Sequence, residues 1–195
     1  PTGLLIKKKD VSSLLKSFAE QGTCVFLDEA FIELSDPGES LFATRDPHLC
    51  VLRSLTKCFS VPGLRFGYAF TDPDLVCALE VSRPPWSVNA FAEHFATQAF
   101  KKYHELDESR RKIGIERNFL VKSLEDLGFA VTPPSANFIL ADTGKDVAVL
   151  CNSLIGHGIL VRDCTSFGLS NSIRISVRTH PENQSLVEAL ETCVH

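Results

Sequence analysis

The sequence Ser-Leu-Thr-Lys-Cys-Phe-Ser-Val-Pro-Gly-Leu-Arg-Phe-Gly-Tyr occupies residues 54–68 and follows a short apolar run at residues 49–52. Such a run is typical of a strand covered on both faces in a parallel sheet. A second run, at residues 23–27, ends at Asp28. Ligands of open α/β sheets bind outside the carboxyl ends of the strands. We therefore predict that Asp28 and Lys57 face one crevice.

The rest of the chain continues the α/β pattern. Helical spacing after a predicted N-cap at Asp10 indicates a first helix that ends at Gly22. Further strands are predicted at residues 66–70, 129–132, 137–141, 159–163 and 173–178. Further helices are predicted from Asp72 and over residues 88–127, 147–155 and 182–193. The helical segment 88–127 is predicted to break near Leu106-Asp107 and to end at Gly128, and a Thr179–Glu182 capping box precedes the last helix.

The composition, with 44% hydrophobic and 23% charged residues, is typical of a globular protein. A net charge of −4 gives no broad electrostatic footprint for nucleic acid, and no apolar stretch approaches the length of a membrane span. The seven cysteines form no C-x-x-C pair, so we expect free thiols in a reducing, cytoplasmic setting and no metal. Because the chain opens on Pro1 and contains no methionine, we expect it to be part of a longer protein.

Four motifs resemble the fold-type-I, or class I and II aminotransferase, family of pyridoxal-phosphate enzymes. Asp28-Glu29-Ala30-Phe31 matches D-x-A-[YF], and residues 54–57 match S-x-[ST]-K. Arg65 completes a G-x-R motif eight residues past the lysine, and Pro1-Thr2-Gly3 matches the end of an N-P-T-G turn. The resemblance covers essentially the whole chain. It implies the C-terminal part of the large doubly wound cofactor-binding domain at residues 1–105 and the small C-terminal α/β domain at residues 106–195.

The resemblance also implies a cofactor site for pyridoxal 5′-phosphate. Lys57 would be the catalytic residue that bonds to the cofactor aldehyde, because lysine alone offers a primary amine. Asp28 would keep the pyridine nitrogen protonated, and Phe31 would lie where a tyrosine usually contacts the ring oxygen. Ser54 and Arg65 would bind the cofactor phosphate, which needs donors and positive charge.

Three residues in or beside predicted strands of the second part are candidates for substrate binding: Asn137, Arg162 and Arg174. The resemblance aligns Arg174 with the arginine that binds the substrate carboxylate, and we expect Arg162 to help bind a substrate phosphate. An unpaired buried charge is costly, so a structural salt bridge is the alternative for each arginine. That alternative is most credible for Arg178, less so for Arg174, and intermediate for Arg162.

Within the family, the chain most resembles threonine-phosphate decarboxylases of cobalamin biosynthesis and, next, histidinol-phosphate aminotransferases. Phe31, Pro62 and Trp86-Ser87 favour the decarboxylases, because the aminotransferases typically have tyrosine, alanine and a tyrosine-asparagine pair there. We therefore expect decarboxylation of L-threonine O-3-phosphate, with histidinol-phosphate transamination as the alternative. The resemblance implies a homodimer with shared sites. A third possibility is an inactive remnant or dimer-interface piece that lacks the N-terminal half of the cofactor site.

Overall fold

The computed structural model describes residues 2–194, so Pro1 and its predicted turn lie outside the described residues. The chain divides into two compact units. The first unit is Ile6–Asp107, and the second is Glu108–His195 together with Pro1–Leu5, in so far as these are described. The predicted boundary between residues 105 and 106 refers to the domains of the family and stays a prediction.

The first unit contains a three-stranded sheet in the order β1-β2-β3. Its elements are α1 (Lys8–Ala19), β1 (Val25–Asp28), β2 (Leu49–Ser54), α2 (Leu55–Cys58), β3 (Gly67–Phe70), α3 (Pro73–Ser82) and α4 (Ala90–Lys101), with short 3-10 turns at Ile32–Leu34, Pro37–Glu39 and Tyr103–Glu105. β1 and β2 are parallel, with Asp28 opposite Leu52, whereas β2 and β3 are antiparallel. A small core joins α1 to this sheet through Val11, Leu15, Leu41, Leu49 and Val51.

The second unit contains a four-stranded antiparallel sheet in the order β4-β5-β7-β6. Its elements are α5 (Leu106–Asp126, which begins in the first unit), β4 (Ala130–Val131), β5 (Phe138–Asp142), α6 (Ala148–Gly156), β6 (Arg162–Asp163), β7 (Ser172–Ser176) and α7 (His180–Val194). The core lies between the sheet and helices α5, α6 and α7, and includes Leu120, Ile139, Leu154, Ile173 and Leu190.

Both predicted glycine ends are confirmed. Gly22 has φ +67°, and Thr23 N–H bonds to Phe18 O at 3.0 Å, which closes the turn after α1. Gly128 has φ +83°, and Phe129 N–H bonds to Leu124 O at 3.0 Å after α5.

The prediction of Asp10 as an N-cap is wrong. Helix α1 begins at Lys8, after Lys7, and Asp10 lies inside its first turn. The physical reason is a distant carboxylate: Glu39 accepts the Lys8 backbone N–H at 2.7 Å and the Lys7 ammonium at 3.1 Å. This bond satisfies a donor of the first turn, which a local cap would otherwise satisfy.

The predicted break near Leu106-Asp107 is confirmed, because α4 ends at Lys101, the 3-10 turn Tyr103–Glu105 follows, and α5 begins at Leu106. Another boundary needs correction. The predicted strand at residues 159–163 is reduced to Arg162–Asp163, because only these two residues pair with β7. The Leu160 side chain is 84% exposed, so the apolar run before Arg162 is not a covered strand.

Candidate cofactor and substrate site

The first group of predicted site residues lies at the carboxyl ends of β1 and β2. These strands are parallel neighbours, so Asp28 ends one strand beside the end of the other, and the Glu29 N–H donates to Leu52 O at 2.8 Å. Lys57 lies in the single turn α2 that directly follows β2. Its ammonium nitrogen is 5.3 Å from the centre of the Phe31 ring. The Asp28 carboxylate accepts the Ala30 N–H at 2.9 Å, which fixes the start of the loop that carries Phe31.

The loop between α2 and β3 carries Arg65 in a left-handed backbone conformation, with φ +53°. The exposed Arg65 side chain donates to Pro62 O at 3.3 Å. The Ser54 hydroxyl lies 3.4 Å from Phe66 O, next to Arg65. Asn89 holds the same loop, because its amide donates to Leu64 O at 2.9 Å. The structure therefore places Ser54 and Arg65 at one loop.

The Asn89 side chain makes two hydrogen bonds, neither of which is among the predicted site contacts. Its amide oxygen accepts the Ala92 N–H at 2.9 Å and so caps α4, while its NH₂ group binds the Arg65 loop. An asparagine before a helical run is a recognisable N-cap signal. The second bond, to a loop 25 residues away in sequence, has no such signal.

A buried ionic network adjoins these strand ends, and no local pattern in the sequence predicts it. Arg53 donates to Glu29 at 3.0 and 3.1 Å, to Glu33 at 2.8 Å, to Ser40 at 2.6 Å and to the Tyr103 hydroxyl at 3.1 Å. The side chains of Arg53, Glu29 and Glu33 are 6%, 4% and 1% exposed. Glu29 and Arg53 directly adjoin Asp28 and Ser54 in sequence, so the network fixes both strand ends that carry the candidate residues.

The network also alters ionisation around it. Burial raises the pKa of the Tyr103 hydroxyl, and its hydrogen bond to Glu33 raises it further. Burial alone would lower the pKa of Arg53, but the charges of Glu33 and Glu29 raise it overall. Burial, with Glu33 nearby, raises the pKa of the Cys58 thiol to about 12. Cys58, although adjacent to Lys57, is therefore a neutral packing residue at physiological pH.

The second group of predicted site residues lies in the second unit. Arg162 and Arg174 occupy directly opposed positions on β6 and β7. Arg174 is half-buried, and its guanidinium lies 5.0 Å from the Phe138 ring centre and 5.7 Å from that of Phe167. Arg162 donates to the Ser166 hydroxyl at 2.7 Å and lies 5.3 Å from the same Phe167 ring. Among residues 2–194, neither guanidinium forms a salt bridge with a carboxylate.

Like charges directly opposed across two strands are destabilising. Two guanidinium groups without an acidic partner in the described part of the chain are therefore suited to an anionic ligand. They line a cavity of about 800 Å³ in the second unit. The alternative of a structural salt bridge is confirmed for Arg178, which donates to Glu182 at 2.6 Å.

Asn137 immediately precedes β5, and its backbone carbonyl accepts the Val177 N–H at 2.9 Å. Its side-chain oxygen is buried and has no hydrogen-bond partner among the described residues. Buried polar atoms without a partner are uncommon and call for an explanation. A hydrogen-bond donor on a bound ligand would supply the missing partner.

All seven cysteines are free, as predicted, although Cys24 and Cys77 are exposed. Within residues 2–194, no helix has the length and apolar character needed to cross a membrane. The same residues contain no group of three or more His, Cys, Asp or Glu side chains placed to bind a metal ion.

The sequence of this chain is similar to one protein family and to several curated proteins of that family. Residues 1–190 match the family described as aminotransferase class I and II. The chain is 31% identical over 196 residues to histidinol-phosphate aminotransferase of Symbiobacterium thermophilum, covering 100% of this chain and 54% of that protein. It is 33% identical over 201 residues to a protein of Caldanaerobacter subterraneus provisionally named threonine-phosphate decarboxylase, covering 97% of this chain and 54% of that protein.

A solved structure of a related enzyme is also similar to this chain. The L-threonine-O-3-phosphate decarboxylase of Porphyromonas gingivalis superposes with a TM-score of 0.88 at 26% identity, covering 98% of this chain and 61% of that one. This chain thus spans about half the length of the curated relatives it matches. The predicted fold class, the C-terminal part of the fold-type-I transferase fold, is confirmed. The chain belongs to the class I and II aminotransferase family, whose enzymes depend on pyridoxal 5′-phosphate.

Proposed function

We propose that the protein containing this chain decarboxylates L-threonine O-3-phosphate with pyridoxal 5′-phosphate as cofactor. At the coarser level, the relatives are aminotransferases and decarboxylases that use this cofactor. The choice of decarboxylation rests mainly on Phe31, and the choice of substrate rests on the two arginines of the second unit.

The residues of the first unit fit the cofactor. Lys57 supplies the primary amine, and Asp28, at the neighbouring strand end, supplies a carboxylate for the pyridine nitrogen. Ser54 and Arg65, at one loop, supply a hydroxyl and an exposed guanidinium for the phosphate. When bound, the cofactor supplies an electron sink for the carbon that loses a bond. The protein's part is to orient the substrate and to move a proton at the Lys57 amine.

The observation that carries the proposal is the position of Phe31 at the Lys57 amine, 5.3 Å from ring centre to nitrogen. Aminotransferases of the resembled group typically have a tyrosine there. Its hydroxyl would donate a hydrogen bond to the cofactor's ring oxygen, and phenylalanine has no such donor. The absence of this donor next to the reacting amine favours a departure from ordinary transamination.

The substrate assignment follows from charge. L-Threonine O-3-phosphate carries a carboxylate and a phosphate, and Arg174 and Arg162 offer two adjacent guanidinium groups without acidic partners among the described residues. We assign Arg174 to the carboxylate and Arg162 to the phosphate. The buried side-chain oxygen of Asn137 would be satisfied by accepting a hydrogen bond from a donor on the substrate.

A second candidate is histidinol-phosphate transamination. The observation in its favour is that the curated relatives are mostly histidinol-phosphate aminotransferases. Histidinol phosphate has a phosphate but no carboxylate, so it offers one anionic group where L-threonine O-3-phosphate offers two. Homodimer formation, a cytoplasmic location and inactivity of this chain by itself stay predictions.

The test measures both reactions in the complete protein. We expect carbon dioxide release from L-threonine O-3-phosphate, with formation of an aminopropanol phosphate, at a rate well above amino transfer from histidinol phosphate. Phe31→Tyr should increase transamination relative to decarboxylation, because it restores the hydroxyl that donates to the cofactor's ring oxygen. Efficient amino transfer without carbon dioxide release would overturn the proposal in favour of the second candidate.

A further inference from the structure

The two guanidinium groups share a support, the turn Cys164–Leu169. The backbone of this turn is well fixed, because the Phe167 N–H and Leu169 N–H both donate to Cys164 O, at 2.8 and 3.2 Å. Cys164 is fully buried, and Gly168 takes a left-handed conformation with φ +79°, which a residue with a side chain would adopt only with strain. A fixed turn can hold a side chain in one place.

Each arginine contacts this turn through a different group. The Ser166 hydroxyl accepts a hydrogen bond from Arg162 at 2.7 Å. The Phe167 ring lies 5.3 Å from the Arg162 guanidinium and 5.7 Å from that of Arg174, so one ring contacts both cations. Distances below about 6 Å are those of attractive cation–π contacts.

The acidic residue nearest in sequence forms no salt bridge with either arginine among the described residues. Asp163 adjoins Arg162, but its carboxylate accepts the Thr165 N–H at 2.7 Å. Hydrogen bonds from the Thr165 side chain and backbone N–H lower the pKa of Asp163, and the nearby charge of Arg162 lowers it further. The turn therefore binds the nearest carboxylate through Thr165, and the Arg162 guanidinium bonds to Ser166 instead.

We propose that Ser166 and Phe167 are positioning residues that set the preference for a substrate with two anionic groups. This inference rests on the proposed function, in which Arg174 binds the carboxylate and Arg162 the phosphate. The Ser166 hydroxyl bonds to Arg162 and so controls recognition of the phosphate. Phe167 contacts both arginines and so controls the spacing of the two anionic groups.

The experiment compares binding of O-phospho-L-threonine and L-threonine to the complete, cofactor-loaded protein by calorimetry, together with KM and kcat. Ser166→Ala should weaken binding of the phosphorylated amino acid about 5-fold and leave that of threonine unchanged, because one charge-assisted hydrogen bond to Arg162 is lost. Phe167→Leu should weaken binding of both about 2- to 5-fold, whereas Phe167→Tyr, which keeps the ring, should bind as the unmodified protein does. The expected effects are on KM, with kcat within about twofold.

Ser123→Ala is the matched control, because it removes a serine hydroxyl that donates to Phe119 O within α5. If Ser166→Ala and Phe167→Leu bind both compounds as the control does, while Arg162→Ala and Arg174→Ala bind them poorly, the positioning role is overturned and the proposed function stands. If the two arginine variants also bind normally, both the proposed function and this inference fail. If Ser166→Ala weakens the two compounds equally, its selective role for the phosphate is wrong.

Discussion

Replacement of Arg53 by methionine tests whether the buried network organises the first unit. The substitution keeps an unbranched side chain of similar length but removes all five hydrogen bonds that Arg53 donates to Glu29, Glu33, Ser40 and Tyr103. It leaves two carboxylates, 4% and 1% exposed, without their cation. Removal of one partner from a buried ion pair typically costs about 3–5 kcal/mol, because an uncompensated buried charge is left behind. We expect a decrease in the free energy of unfolding of that size.

The assay is equilibrium urea denaturation of the complete protein, followed by far-ultraviolet circular dichroism. The matched control is Arg111→Met, which removes an Arg–Glu pair to Glu108 whose side chains are 62% and 53% exposed. An exposed pair of this kind contributes about 0–1 kcal/mol. If Arg53→Met shifts the unfolding free energy no more than Arg111→Met does, the network does not stabilise the strand ends and the reasoning is refuted.

Two further predictions concern other parts of the chain. Hydrogen bonds from Arg178 and Thr179 lower the pKa of Glu182 to about 2. The contribution of Glu182 to stability is therefore present above the unfolded pKa of about 4.3 and is lost as pH falls toward 2. Between pH 5 and 2 the melting temperature should decrease less in Glu182→Gln than in the unmodified protein, and an equal decrease would contradict this. Asn89→Asp keeps the acceptor that caps α4 but loses the donor to the Arg65 loop. Cofactor affinity, measured by absorbance titration, should therefore fall several-fold with little change in melting temperature. Unaltered affinity would show that Asn89 does not position the loop.

Sequence patterns located the parts of the fold that depend on local chemistry. The apolar runs before Asp28 and Ser54 predicted two adjacent strands, and the carboxyl ends of parallel strands meet at one edge. The predicted cover on both faces is wrong for β1, in which Phe26 is 55% exposed. Gly22 and Gly128 predicted helix ends for a local steric reason. The spacing from Lys57 to Arg65 identified the family.

Features that depend on contacts distant in sequence could not be predicted. Glu39 caps α1 in place of Asp10 across a separation of 31 residues, and Arg53 pairs with Glu33 across 20 residues. A single sequence gives the charges but not which of them meet. The apolar run before Arg162 predicted a longer strand than the structure has, because apolar character indicates burial and does not establish backbone pairing.

The central claim is that Lys57 carries the cofactor, and covalent trapping tests it most directly. The complete protein would be incubated with pyridoxal 5′-phosphate, reduced with borohydride and digested, and the modified peptide would be identified by mass spectrometry. The account predicts a pyridoxyl group on Lys57 and no such label in Lys57→Arg, which keeps the charge but lacks a primary amine. A label on another lysine of this chain, with Lys57 unmodified, would contradict it.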